Sequence, residues 1–207
     1  MTITFPRVIP DIKYTTADMI LDDPVKASES GGRFINYTQL EDPVWRVNLV
    51  TSSLLLQSQY AAVEAWWLSL REGLRTVLFR HPHSCYPIAH ETNHGPADDN
   101  GSLVSVTDGN ILAVSGVDPG LTLTPGDRLG VQQSGKYYIG RVTEVAGSGT
   151  TRTITVEPPL FDSVAQAGAV VVFAKPALVM RSVPGSFQPT RNGRFFTVTF
   201  QLRESQV

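Results

Sequence analysis

With 207 residues, 42% of them apolar, the chain is long enough to bury about 70% of its unfolded surface in a core. Its 17 Lys and Arg against 19 Asp and Glu leave a net charge of −2, which excludes a basic footprint for nucleic acid and any polybasic or acidic tail. A charged fraction of 17%, with 17 Gly and 14 Pro, suits a β-rich protein partly covered by neighbours and excludes a disordered chain or a coiled coil.

The N-terminus, MTITFPRVIPDIKY, carries no apolar run of signal-peptide length behind Arg7, so synthesis in a cytoplasm is expected. Pro6, Pro10 and Pro24, the last preceded by Asp22 and Asp23, suggest an extended arm with turns over the first 30 residues. A polar turn at 28–32 follows, then strands from Arg33 to Tyr37 and from Val44 to Val50, joined through Glu41-Asp42-Pro43. In the second strand Trp45, Val47 and Leu49 share one face, opposite Val44, Arg46, Asn48 and Val50. That contrast marks a half-buried antiparallel strand.

One helix stands out. Leu56, Tyr60, Val63, Trp67, Leu70 and Leu74 recur at alternating spacings of four and three, forming a single stripe. Tyr60, Val63, Trp67 and Leu70 are its expected core anchors, and Gly73 is placed to end it. Trp66 and Trp67 could serve as a stacking platform for sugar or base. The helical period instead favours Trp67 as an anchor on a sheet, with Trp66 flanking it. Arg75 to Phe79 returns to that sheet.

Residues 80 to 101 read as a polar loop, and 102 to 175 as all-β, with short apolar runs separated by turns such as Asp108-Gly109-Asn110 and Pro125-Gly126-Asp127. The spacing suggests a small barrel or sandwich. The longest uninterrupted apolar stretch, Ala169 to Ala174, falls far short of the ~20 residues of a membrane-spanning helix. Ala177 to Val183 and Phe195 to Arg203 resume the earlier strand style, with Phe196, Val198, Phe200 and Leu202 on one face. The chain thus reads as an α+β domain interrupted by an all-β insertion.

All four histidines and the single cysteine fall within 14 residues: His81, His83, Cys85, His90 and His94. One cysteine permits no intrachain disulfide. Imidazole and thiolate suit zinc, yet Pro82, Pro87 and Pro96 oppose a rigid helix and the spacing matches no zinc signature. The reading without metal, an irregular linker, is preferred. No G-x-S-x-G elbow supports a hydrolase, and Cys85 beside a histidine lacks the geometry of a thiolate pair. Gly31-Gly32 and Gly147-Ser148-Gly149 lack the Lys-Ser/Thr of a phosphate loop. Glu41-Asp42, Asp22-Asp23 and Asp98-Asp99 sit in turns. No catalytic residue and no cofactor is therefore expected.

Within the insertion, Tyr137, Tyr138 and Arg141 lie on one strand, and OB barrels use such faces for oligonucleotides or oligosaccharides. Between 102 and 175, five Lys and Arg stand against six Asp and Glu, so phosphate backbones are disfavoured. A glycan or a protein contact remains for these three residues.

The order of several segments then resembles a known family. Gly126-Asp127-Arg128-Leu129-Gly130-Val131 leads to Lys136-Tyr137-Tyr138-Ile139-Gly140-Arg141-Val142-Thr143-Glu144-Val145. Ile154-Thr155-Val156-Glu157-Pro158-Pro159-Leu160 follows, and the chain closes on Phe200-Gln201-Leu202-Arg203-Glu204-Ser205. From about residue 30 onward this resembles the distal tail protein of long-tailed siphophages, in the version with an inserted OB-fold module.

The resemblance implies a mainly β fold: a β-barrel or sandwich core with one flanking helix, formed by 1–95 and 176–207, and an OB-like insertion over 96–175. It implies a structural, non-enzymatic virion protein at the tail tip, assembled as a homo-hexameric ring with a central channel for DNA. Implied partners are the tail tube protein, the tail-tip hub protein and tail-fibre or collar proteins. A carbohydrate-binding adsorption protein using the insertion is the alternative. The histidine-rich linker departs from the family pattern. A net charge of −2 suits a channel through which DNA slides without being held.

Overall fold

The computed structural model describes residues 3–29 and 35–205. It is 48% strand and 10% helix and contains a closed barrel, so the expected mainly β class holds. The turn expected at 28–32 and the start of the strand expected at Arg33 fall partly on residues outside the described ones.

The strands in order are β1 (Arg7–Val8), β2 (Tyr14–Asp22), β3 (Val25–Glu29), β4 (Ile35–Gln39), β5 (Val44–Thr51), β6 (Thr76–Arg80), β7 (Gly101–Thr107) and β8 (Ile111–Ser115). There follow β9 (Arg128–Gln133), β10 (Lys136–Ala146), β11 (Thr151–Glu157), β12 (Val170–Val172), β13 (Ala177–Ser182), β14 (Gln188–Asn192) and β15 (Phe195–Glu204). Helix α1 spans Gln57–Ser69, and a four-residue α2 spans Gly95–Asp98. None of the helices among the described residues is long and apolar enough to cross a membrane. The chain divides into two compact units: Val77–Val179 with the residues up to Ile9, and Pro10–Thr76 with Met180–Ser205.

In the second of these units, β5 lies between β2 and β15, both antiparallel to it, with Met19 opposite Val47 and Leu49 opposite Phe200. The inward residues Trp45, Val47 and Leu49 are buried, as the alternation of β5 requires. Here the structure corrects the extended arm expected over the first 30 residues, because Tyr14–Asp22 is a nine-residue strand. A register shift between Tyr14 and Thr16 breaks the alternation, so buried Tyr14 is followed by buried Ala17 and Met19. Strands β3 and β4 form a separate two-stranded ribbon, on which Val25, Ile35 and Tyr37 are exposed.

Helix α1 begins where Gln59 Oε1 accepts the Leu56 amide at 3.0 Å. Val63, Trp66, Trp67 and Leu70 are buried, whereas Leu56 and Leu74 at the ends of the expected stripe are exposed and Tyr60 is half-buried. Trp66 belongs to the core rather than its flank. Its ring centroid lies 5.7 Å from that of Phe200, and Trp67 lies 5.5 Å from Phe200 and 5.2 Å from Phe187. Tyr60 stacks on Phe196 at 4.5 Å. Helical geometry ends at Leu70, before Gly73, and Arg71, Glu72 and Gly73 then take positive φ in succession. Only glycine fits the last of these, since a Cβ there would stand 2.6 Å from the Ser182 carbonyl oxygen. Arg181 secures the turn by donating to the Gly73 carbonyl at 2.7 Å and the Leu74 carbonyl at 3.0 Å.

In the other unit, β1 pairs in parallel with β6, and six strands close into a barrel in the order β10-β11-β8-β7-β12-β9. The OB fold has five strands, so this barrel carries one more. Every pairing around it is antiparallel, and alternate residues, among them Leu112, Leu129, Val131, Ile154 and Phe173, fill the interior. Closure is made by β12, whose Val171 lies opposite Gly101 on one side and Val131 on the other. Gly101 is required by close approach: a Cβ there would fall 2.6 Å from Val114 Cγ1.

Candidate functional site

Strand β10 carries the three residues expected to meet a ligand, and its alternation separates them. Tyr138 faces inward and is 2% exposed. Its hydroxyl donates to the Pro158 carbonyl, and its ring meets Phe161 edge-on at 6.0 Å. It is a core residue with its polar atom satisfied, so the structure removes it from the ligand-binding set. Tyr137 and Arg141 point to the outer wall, together with Ile139 between them. Tyr137 is half-buried and Arg141 exposed.

The outer wall adds a residue that composition and spacing did not single out. Arg128 on β9 lies directly opposite Arg141, and Gln132 lies opposite Tyr137. The Nε of Arg128 is buried and has no hydrogen-bond partner among the described residues. Burial, and secondarily the charge of Arg141, pulls the Arg128 guanidinium below the ordinary arginine range. Beyond Arg141, on β11, stands Glu157, whose carboxylate accepts from the Asn110 side chain at 3.1 Å. A signal for Arg128 did exist in the sequence. Pairing the strands on either side of the Gln133-to-Lys136 turn places Arg128 against Arg141, but only once the register is known.

Asp127, the neighbour of Arg128, points the opposite way and is buried. Its carboxylate accepts the Ile88 amide at 2.8 Å and the Thr124 amide at 2.7 Å, tying the histidine-bearing segment to the barrel. That segment is ordered by its histidines. His81 Nδ1 accepts the amides of His83 at 3.2 Å and Ser84 at 2.9 Å. His90 Nε2 accepts the Thr122 amide at 2.9 Å, which assigns the ring proton to Nδ1, 3.2 Å from the Asn93 carbonyl. His94 Nδ1 lies 2.8 Å from the His90 carbonyl, and its ring stacks on Tyr86 at 3.7 Å. Cys85 Sγ lies 3.2 Å from the His81 carbonyl.

These nitrogens are committed to backbone groups, and among the described residues no three His, Cys, Asp or Glu side chains group as metal ligands. The expected polar loop is therefore a folded segment, with His81 and His90 buried. The prolines that argued against a long helix instead start two short turns: a 3-10 turn at Ile88–His90 after Pro87, and α2 around Pro96. No protein-family model matches the chain, and no curated protein matches it.

Proposed function

We propose that the chain is a structural subunit of a bacteriophage virion: a distal tail protein that assembles as a homo-hexameric ring between the tail tube and the tail tip, with a central channel for DNA. The observation that carries the reading is a β-rich unit with one packed helix whose chain is interrupted, between β6 and β13, by a closed barrel. This accords with the order of segments that resembles distal tail proteins. The ribbon of β3 and β4 adds support. Two strands alone are marginally stable in water, and the apolar Val25, Ile35 and Tyr37 exposed on them suit contact with a neighbouring subunit. On this reading the partners are the tail tube protein, the tail-tip hub protein and tail-fibre or collar proteins, and the protein has no catalytic role.

The alternative, a glycan-binding adsorption protein, loses ground because Tyr138 is interior and leaves Tyr137 as the one tyrosine of the pair on the outer wall. The test is native mass spectrometry of the purified chain with negative-stain imaging. Six-fold particles with a central hole are expected. A monomer at high protein concentration, with a positive glycan array, would replace this reading with the alternative.

A further inference from the structure

The outer wall of the barrel holds two arginines whose arrangement is costly in the free protein. Arg128 and Arg141 are directly opposed on β9 and β10, which puts their Cβ atoms about 4.5–5.5 Å apart. Like charges so placed repel. Among the described residues neither guanidinium has a hydrogen bond or ion pair, and the Nε of Arg128 is buried without a partner. Glu157 stands across from Arg141 on the other side, and its carboxylate accepts from the Asn110 side chain. The wall beside the pair is built. Ile139 is buried, and Pro176 packs closely over Gly130, where a Cβ would stand 3.1 Å from the proline Cβ. A desolvated guanidinium beside a second, exposed one is what an oxyanion with more than one charge requires, because each planar fork presents parallel N–H donors.

We propose that Arg128 and Arg141 form a binding site for a phosphate group on the outer wall of the barrel. Arg141 reaches the anion from solvent and Arg128 supplies the desolvated donors beneath it. Tyr137 and Gln132 oppose each other on the same face four residues along, about 13 Å from the arginine pair. The anion neutralises the repulsion between the arginines, so binding also stabilises the barrel.

The experiment is titration of the full chain with inorganic phosphate against potassium chloride of matched ionic strength. Arginine Nε–Hε resonances and the thermal midpoint are followed together. Phosphate is expected to shift two arginine resonances in parallel and to raise the midpoint. Arg141→Gln is expected to weaken the apparent affinity at least about tenfold, the size of one lost charge-assisted contact. Arg128→Met is expected to raise the midpoint without phosphate, because it removes an unpaired buried charge, and to abolish the phosphate-dependent rise. Glu157→Gln, which removes the negative charge across the ladder from Arg141, is expected to tighten binding. Glycerol phosphate in place of phosphate distinguishes a phosphate ester from the free ion: equal or tighter binding identifies the ester. An identical response of wild type, Arg141→Gln and Arg128→Met to phosphate overturns the proposal. So does a wild-type response no larger than that to chloride. A destabilised Arg128→Met is judged by Arg141→Gln alone, since Arg141 is exposed and its replacement leaves the core intact.

Discussion

The imidazole of His90 accepts the amide proton of Thr122 at 2.9 Å, across 32 residues of chain. A buried aromatic base thereby does for the segment before the barrel what a strand partner does inside it. It satisfies a main-chain donor that would otherwise be desolvated.

His90→Ala leaves the Thr122 amide without its acceptor and is expected to cost about 1–3 kcal/mol. The three tryptophans, Trp45, Trp66 and Trp67, all lie outside Val77–Val179, so their fluorescence does not report on the barrel directly. Amide exchange is the appropriate measurement, and faster exchange at Thr122 and at the 81–99 segment is expected. EDTA should leave that exchange unchanged.

Arg152 enters the end of the barrel as a buried cation surrounded by carbonyls. Its guanidinium donates to Gly149 at 2.8 Å, Thr151 at 2.9 Å, Leu121 at 2.8 Å and, at a longer 3.4 Å, Pro119. Arg152→Met strands several of these acceptors and should destabilise by about 2–4 kcal/mol. Arg152→Lys should recover only part of that loss, because a point ammonium cannot span the positions that the planar fork reaches. Denaturant titration followed by tyrosine-region circular dichroism gives the ranking, which fails if lysine and arginine are equivalent.

Glu204 is the clearest source of pH dependence. Burial pushes its carboxyl up to about 7, although the Trp45 amide, 2.9 Å from Oε2, favours the charged form. The folded chain therefore keeps a proton that the unfolded chain releases, and stability falls as pH rises from the ordinary carboxyl range, near 4.5, through about 7. The loss amounts to roughly 3–3.5 kcal/mol. Glu204→Gln keeps an oxygen for the Trp45 amide and has nothing to titrate. Its midpoint should exceed that of the wild type at pH 8 and converge with it at pH 4. A variant with the same slope as the wild type would assign the dependence to another group.

Trp67→Ala removes a ring packed between Phe187 and Phe200 and is expected to cost about 3–5 kcal/mol. Leu74→Ala, on the same expected stripe but exposed, should change stability by less than about 0.5 kcal/mol. Equal losses from the two would mean that the helix packs in another register.

Where burial and alternation coincide, the elements were legible in the sequence. Trp45, Val47 and Leu49 identify β5, and the helical stripe identifies α1, because period and solvent exposure there have one cause. The misses have causes as well. β2 was hidden by its register shift and by exposed Ile20 beside Asp18. β14 is wholly exposed, contains Pro189 and is a strand only by virtue of its pairing with β15. At the candidate site, adjacency on one strand suggested that Tyr137 and Tyr138 act together, although period-2 geometry sends neighbours to opposite faces. Arg128 was reachable only through the register, since its relation to Arg141 exists only across the ladder.

The pairing of Gly101 with Val171 brings the barrel's entrance and exit side by side. The barrel therefore begins and ends on neighbouring strands, about 4.8 Å apart. Adjoining ends let the length and sequence between β7 and β12 vary while the two end strands keep their pairing. The barrel is therefore the part of this protein most open to replacement by recombination, and the part in which related chains are expected to differ most.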